Sequence, residues 1–280
     1  MVARKKDGST SVLVYRHSKV TRVTHWINVF CMTILLLSGL QILNAYPTLN
    51  WGQIGADTDP YLARIESRAD KGKPEGDLRI AGRVFDTTGV LGASKQDGQW
   101  VLKAFPSWAT LPSHRDLATG RRWHFFFAWL FVVNGLVYLV TGIVRRHFTH
   151  DLVPTAGELQ PRHLLREVLG HARLRFPKGE AARHYNVLQK LTYLVVVAVL
   201  LPLMVLTGLT MSPGMDAALP FLLDFFGGRP SARTIHFIAA SLLVAFVIVH
   251  VLMVLLSGVF NNMRSMITGS YAIKVDGGDL

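Results

Sequence analysis

Cysteine is nearly absent: Cys31 is the only one in 280 residues. No disulfide can therefore form within the chain, and one thiol cannot carry an iron–sulfur cluster. There is no CxxCH motif, which excludes covalent haem attachment of the c type. No low-complexity tract and no repeat of 20–50 residues is visible. Charge is also scarce in the places that matter. Only 17% of residues are Asp, Glu, Lys or Arg and half are hydrophobic. Four blocks are almost free of charge: Trp26–Ala45, Trp123–Val144, Leu191–Met211 and Ile235–Val259. Each reaches the roughly 20 residues that a membrane-spanning helix needs. Lipid offers no hydrogen bonds, so such blocks must satisfy their backbone groups as helices. The expected fold is an all-α integral membrane protein, one domain over residues 1–280 built as a bundle of four transmembrane helices. The first block is longer than a signal-peptide core and is followed by a poor cleavage site, so it is expected to remain as a span.

The formal charge of +12 raises the question of nucleic acid, and its placement answers it. Residues 1–24 hold six Lys/Arg and one acid, and residues 145–186 hold eight and four. Residues 46–113 balance at eight of each sign, and residues 258–280 at two of each. The excess lies before the first span and between the second and third. That is the positive-inside pattern, which predicts a multi-pass protein of the bacterial inner membrane with both termini cytoplasmic. It points to membrane lipid as the partner of the basic loop and not to nucleic acid.

Two extramembrane segments stand out. Residues 46–113 form a 68-residue insertion on the periplasmic side, too long to be bare linker. Its runs "LRIAGRVF" and "GQWVLKAF" are separated by the turn-rich "DTTGVLGASKQD" and predict a small β-hairpin between the two runs. The insertion is expected to cap the bundle or dock a partner. Residues 145–186 form a basic cytoplasmic loop whose "PRHLLREVLGHARLRF" predicts an amphipathic helix on the membrane surface. The loop carries His147, His150, His163, His171 and His184, but their spacing makes no close pair on one helix face. Pro202 falls inside the third span, where a kink is tolerated.

Four histidines belong to the spans, where ionisable residues are rare and point to function. His25 lies at the inner end of the first span, His124 at the outer end of the second, His236 at the outer end of the fourth, and His250 deeper in the fourth. His236 and His250 are fourteen residues apart, about 40° short of four whole turns, so they share one helix face about 21 Å apart. The alternating direction of the spans then pairs His124 with His236 at one depth and His25 with His250 at the other. Neutral imidazole is a good axial ligand for haem iron. Two pairs at two depths predict two bis-histidine haem b groups. The alternatives are hydrogen-bonded histidines in a packed bundle, or a proton relay. Gly39, Gly135, Gly142 and Gly208 offer room on the spans. Arg121, Arg122, Arg229 and Arg233 lie on the outer side, against the positive-inside rule, and are candidate partners of haem propionates.

These features together resemble the di-haem cytochrome b membrane subunits of nickel–iron hydrogenases, formate dehydrogenases and thiosulfate reductases. The resemblance is carried by "YRHSKVTRVTHWINVFCMTILLLSGLQI", "RRWHFFFAWLFVVNGLVYLVTG", "RHYNVLQKLTYL" and "IHFIAASLLVAFVIVHVLMVLLSG". It implies the same two histidine pairs. It also implies a quinone site near the inner haem at Asn186, followed by Gln189 and Lys190. The function expected is electron relay between a periplasmic redox partner and membrane quinone, as one subunit of an oxidoreductase complex of the respiratory chain. A molybdopterin oxidoreductase, a hydrogenase or a soluble cytochrome would each fit as that partner. The competing expectations are a stand-alone haem oxidoreductase that takes electrons from a small reductant such as superoxide, and a transporter with a histidine proton relay.

Overall fold

The computed structural model describes residues 3–6, 9–56, 58–70, 72–146, 148–173 and 185–275. Four helices in it are long and apolar enough to cross a membrane: Lys19–Leu43, Leu117–Val144, Val187–Thr210 and Arg229–Leu256. We label the first two α1 and α2. The third is α4 (Val187–Val195), a π-helical turn (Val196–Leu200) and α5 (Leu201–Thr210), and the fourth is α8. The shorter helices are α3 (Pro161–Ala172), α6 (Pro213–Ala218), α7 (Phe221–Phe226) and α9 (Val259–Thr268).

The four long helices leave their aliphatic residues uncovered. Along α2, Phe126, Trp129, Val133, Leu136, Val140 and Ile143 are exposed at helical spacing, and Leu242, Val249, Leu252 and Leu256 are exposed along α8. Stripes of this size and composition suit hydrocarbon and not water. The protein is a multi-pass membrane protein, mostly helical, with several β-strands outside the long helices.

The helix starts lie upstream of the apolar blocks. Ser18 caps α1, accepting from the Thr21 amide at 3.1 Å. Asp116 caps α2 through the Thr119 amide at 3.0 Å, and that hydrogen bonding holds its carboxyl below the usual carboxylate range. Asn186 and Gln189 form a capping box at the start of α4. The first turns are polar, so hydropathy alone misses them, whereas the caps mark them. The π turn just before Pro202 has a local cause. Proline lacks an N–H and its ring crowds the carbonyl four residues back, and a widened turn relieves both.

The residues assort into two compact units. One comprises Met1–Ile27, Asn134–Leu201 and Leu242–Leu280, and the other Asn28–Val133 and Pro202–Ser241. In the first unit a three-stranded antiparallel sheet joins β1 (Ala3–Lys6), β2 (Ser9–Tyr15) and β9 (Ser270–Val275), with β2 central. Helix α9 is tied to β9 through Asn261, which donates to the Ala272 carbonyl and accepts from its amide, both at 2.9 Å. Trp26 Nε1 donates to the Met266 carbonyl at 3.1 Å. The buried Asn134 donates to the Thr24 carbonyl at 2.9 Å. Gly269 has φ +88°, and a Cβ there would lie 2.7 Å from the Tyr15 ring.

The second unit contains the insertion. Strands β3 (Thr48–Asn50), β4 (Tyr61–Asp70), β5 (Lys73–Ile80) and β6 (Arg83–Asp86) form an antiparallel sheet in chain order, and β7 (Ala93–Gln96) pairs with β8 (Gln99–Leu102). The expected hairpin between "LRIAGRVF" and "GQWVLKAF" is therefore incorrect. The first run is itself a hairpin, turning at Ala81 and Gly82, which both have positive φ. The second run pairs with β7 through a turn at Asp97 and Gly98. Each run had a nearer partner across a two-residue turn than the other run offered. The buried strand β3 fastens the sheet to α8: Thr234 Oγ1 donates to the Asn50 carbonyl at 2.7 Å, and the Gly52 amide donates to Ser231 Oγ at 2.8 Å. Near the end of α1, the Phe105 amide donates to Asn44 Oδ1 at 2.7 Å, and Gln41 Nε2 donates to the His114 carbonyl at 2.8 Å. Leu222, Phe226 and Ala232 form a small core with Leu203, Leu209, Leu219 and Ile235.

The sheet and the β7–β8 hairpin meet backbone to backbone. A Cβ at Gly76 would lie 2.0 Å from the Leu91 carbonyl oxygen, and one at Gly92 would lie 2.4 Å from the Glu66 carbonyl oxygen. Neither obstacle is a flexible side chain. Gly76→Ala is expected to destabilise the insertion by about 3 kcal/mol, the upper part of the overpacking range. Limited proteolysis should then cut residues 72–102 sooner than in the parent protein, and an unchanged cleavage rate would refute the contact.

Candidate functional site

The four span histidines meet in two pairs, each inside one unit. His25 of α1 and His250 of α8 have ring centres 6.3 Å apart with planes at 69°. His124 of α2 and His236 of α8 have ring centres 6.4 Å apart with planes at 61°. Each pair thus joins two helices that are distant in sequence. Their surroundings differ. His25 stacks on Trp26 at 5.3 Å, and His250 stacks on Phe246 at 5.7 Å. Phe246 in turn meets Tyr193 edge-on at 6.4 Å. His124 Nδ1 lies 3.1 Å from Ser38 Oγ, and His236 Nδ1 lies 2.9 Å from Thr207 Oγ1.

Glycines stand beside both rings of the second pair, closely so at Gly39. A Cβ at Gly39 would approach His124 Cε1 at 3.3 Å, and one at Gly208 would approach His236 Cε1 at 3.5 Å. Gly142 instead faces Phe148, where a Cβ would lie 2.5 Å from the ring, and nothing lies within 4 Å of a Cβ at Gly135.

The arginines separate into different roles. Arg233 donates to the Thr48 carbonyl at 2.8 Å, lies over Tyr46 at 5.0 Å, and keeps a buried Nε without a hydrogen-bond partner among the described residues. Arg121 lies over the Phe125 ring at 5.6 Å. Arg122 donates to Thr119 Oγ1 at 3.0 Å on its own helix. Arg229 pairs with Asp216 at 2.5 Å.

Asn186 and Gln189 serve each other. The Gln189 amide donates to Asn186 Oδ1 at 2.9 Å, and the Asn186 amide donates to Gln189 Oε1 at 3.3 Å. Lys190 Nζ donates to both carboxylate oxygens of Glu158, at 2.8 and 3.0 Å. Of the loop histidines, His147 and His184 lie outside the described residues, and among those described no group of three or more metal-binding side chains occurs. Cys31 is buried and free. Sequence reading missed Ser38 and Thr207 as neighbours of the histidines. The available signal was the matching "LSGL" at 37–40 and "LTGL" at 206–209.

Histidines brought together in pairs on membrane-length helices are the arrangement of a membrane haem b electron-transfer protein. Residues 16–269 match the family of prokaryotic cytochrome b561, and the chain belongs to that family. A protein of Azospira oryzae named putative protein-methionine-sulfoxide reductase subunit YedZ1 is 29% identical over 240 residues, covering 86% of this chain and 90% of that one. No solved structure matches the chain. The family is that of a b-type cytochrome, as expected, and does not single out the hydrogenase, formate dehydrogenase and thiosulfate reductase subunits that the sequence resembles.

The Lys190 ammonium holds the Glu158 carboxyl below its ordinary value of 4.5, with help from the Thr155 amide. A carboxyl lowered on folding stabilises the fold fully above its unfolded value, and that contribution is lost as pH falls through the lower folded value. At pH 7, Glu158→Gln is expected to weaken amide protection at residues 155–159 and in the first turn of α4 by up to about 1 kcal/mol, the scale of a partly exposed pair. Hydrogen exchange should show this difference shrinking below pH 4.5. Equal protection at pH 7 would show that the ion pair holds nothing.

Proposed function

We propose that the chain is a di-haem cytochrome b that relays electrons across the bacterial inner membrane, between quinol and a periplasmic partner reductase. The observation that carries this reading is the spacing of the imidazoles. A ring nitrogen sits about 2 Å from a bound metal and the ring centre about 1.2 Å further back, so two imidazoles that held one metal from opposite sides would have centres about 6.4 Å apart. The two pairs stand at 6.3 and 6.4 Å. Rings in direct packing contact could be closer, and it is the agreement of both separate pairs with the same spacing that favours ligation. Gly39, where a Cβ would crowd His124, and the buried Nε of Arg233, without a partner among the described residues, support the fit further.

On this reading His25 and His250 hold one haem b, and His124 and His236 hold the other. Bound there, haem b supplies one-electron transfer with no open position for oxygen. Arg233 offers its guanidinium edge to a propionate, with Arg121 and Arg122 as further outer-side cations. The periplasmic placement of residues 46–113 and the cytoplasmic placement of both termini follow the charge asymmetry of the sequence.

The name of the Azospira relative suggests the partner. If this chain also serves a protein-methionine-sulfoxide reductase, electrons run outward. Quinol oxidation to quinone releases two electrons and two protons, and reduction of a sulfoxide to a thioether and water consumes two of each. The quinone site remains proposed at Asn186, Gln189 and Lys190. The capping box joins Asn186 and Gln189, and Lys190 pairs with Glu158.

The full-length protein purified in detergent is expected to contain two b-type haems per chain by pyridine haemochrome assay. His25→Ala and His124→Ala should each remove about one, and the double substitution both. A haem-free protein, or one that loses the same single haem in either variant, would refute the pairing. A second measurement addresses direction. Quinol added to membranes containing the chain and its partner reductase should drive loss of methionine sulfoxide, and His124→Ala should abolish it. Undiminished turnover in that variant would separate the chain from the reaction.

A further inference from the structure

We propose that the hydroxyls of Ser38 and Thr207 are positioning groups that present His124 and His236 to iron through Nε2 and lower the reduction potential of the haem these rings share. The inference rests on the reading of this pair as axial ligands.

Helices α1 and α5 carry the same short pattern, Leu37-Ser38-Gly39-Leu40 and Leu206-Thr207-Gly208-Leu209. In both, the hydroxyl reaches the imidazole Nδ1, at 3.1 Å for Ser38 and 2.9 Å for Thr207. In both, the same hydroxyl lies 2.6 Å from the carbonyl four residues back, that of Ile34 or Leu203, and 3.3 Å from the carbonyl three residues back. A hydroxyl has one proton, and these short contacts commit it to a carbonyl. Toward the ring the oxygen can then only accept, so the hydrogen between them belongs to Nδ1. A neutral imidazole has one N–H, which leaves the lone pair on Nε2 free for a metal. The glycine after each hydroxyl lies beside the ring: a Cβ at Gly39 would crowd His124 Cε1 at 3.3 Å, and one at Gly208 would make ordinary contact with His236 Cε1 at 3.5 Å.

The pair His25 and His250 is built otherwise. Its rings are flanked by Trp26 and Phe246, and among the described residues no hydroxyl is hydrogen-bonded to either. A ligating imidazole that donates its second N–H becomes a more basic ligand. More basic ligands favour ferric over ferrous iron. The two hydroxyls therefore act on one haem and not on the other, and this distinguishes the two groups electronically.

Redox titration of the purified full-length protein, followed by its visible spectrum, tests this. Thr207→Val keeps the side-chain volume and removes the hydroxyl. It is expected to raise the midpoint potential of one haem, with a several-fold shift in its ferric-to-ferrous ratio at fixed potential, where tenfold corresponds to about 59 mV for one electron. The other midpoint should stay in place and the haem count should be unchanged. Ser38→Ala should move the same midpoint, and Thr207→Ser should restore it. Unchanged midpoints with full haem content in both hydroxyl-free variants would overturn the proposal, as would shifts of two different haems. Should Thr207→Val lose its haem, Thr207→Ser must keep it, and equal loss from both would also overturn the proposal. A parent protein without haem would instead refute the reading on which the proposal rests.

Discussion

Lipid satisfies no polar group, and the structure is organised around that constraint. Every imidazole, hydroxyl and amide within the long helices must find its partner inside the protein or leave the span. Asn134 answers by bonding the Thr24 carbonyl, and Ser38 and Thr207 by bonding carbonyls of their own helices and the rings of His124 and His236. The outward residues are then free to be aliphatic, as they are along α2 and α8. Histidine is the one span residue in this chain whose second nitrogen is still available once the first is satisfied. That is what makes a span histidine useful for binding a metal, and why its neighbours matter as much as the ring.

The extramembrane parts serve the same constraint at the helix ends. Ser18, Asp116 and Asn186 supply side-chain acceptors where α1, α2 and α4 begin, and their amides would otherwise be unpaired. Strand β3 and the turn at Gly52 bond to Ser231 and Thr234 in the first turns of α8. The insertion is therefore tied to the helix that carries His236. In the other unit, β9 and α9 are joined through Asn261 and hold Trp26 beside His25.

Some of this was legible in sequence and some was not. The four spans and the two histidine pairings were, because length, charge scarcity and helical periodicity are local properties. The span starts were placed six or seven residues late for α1, α2 and α8, where polar first turns hide from hydropathy. The hairpin in the insertion was misassigned because two apolar runs were matched to each other across a turn-rich segment that itself contains a strand. The sheet of β1, β2 and β9 was missed entirely. It unites segments more than 250 residues apart in sequence, and no local signal announces such a pairing.

The sequence by itself determined the class of protein: four apolar lengths leave the backbone no stable option in lipid but helices, and a lone cysteine leaves histidine as the remaining ligand for a redox metal. Which ring faces which, and at what distance, was decided only by the tertiary structure. So was the fate of the other polar candidates: Arg229 is taken by Asp216, Lys190 by Glu158, and Asn186 by a helix end, while Arg233 keeps an Nε without a partner among the described residues. The physical reason is that hydropathy and period are carried by each segment alone. The partner of a buried polar atom is set by side chains that folding brings in from elsewhere in the chain.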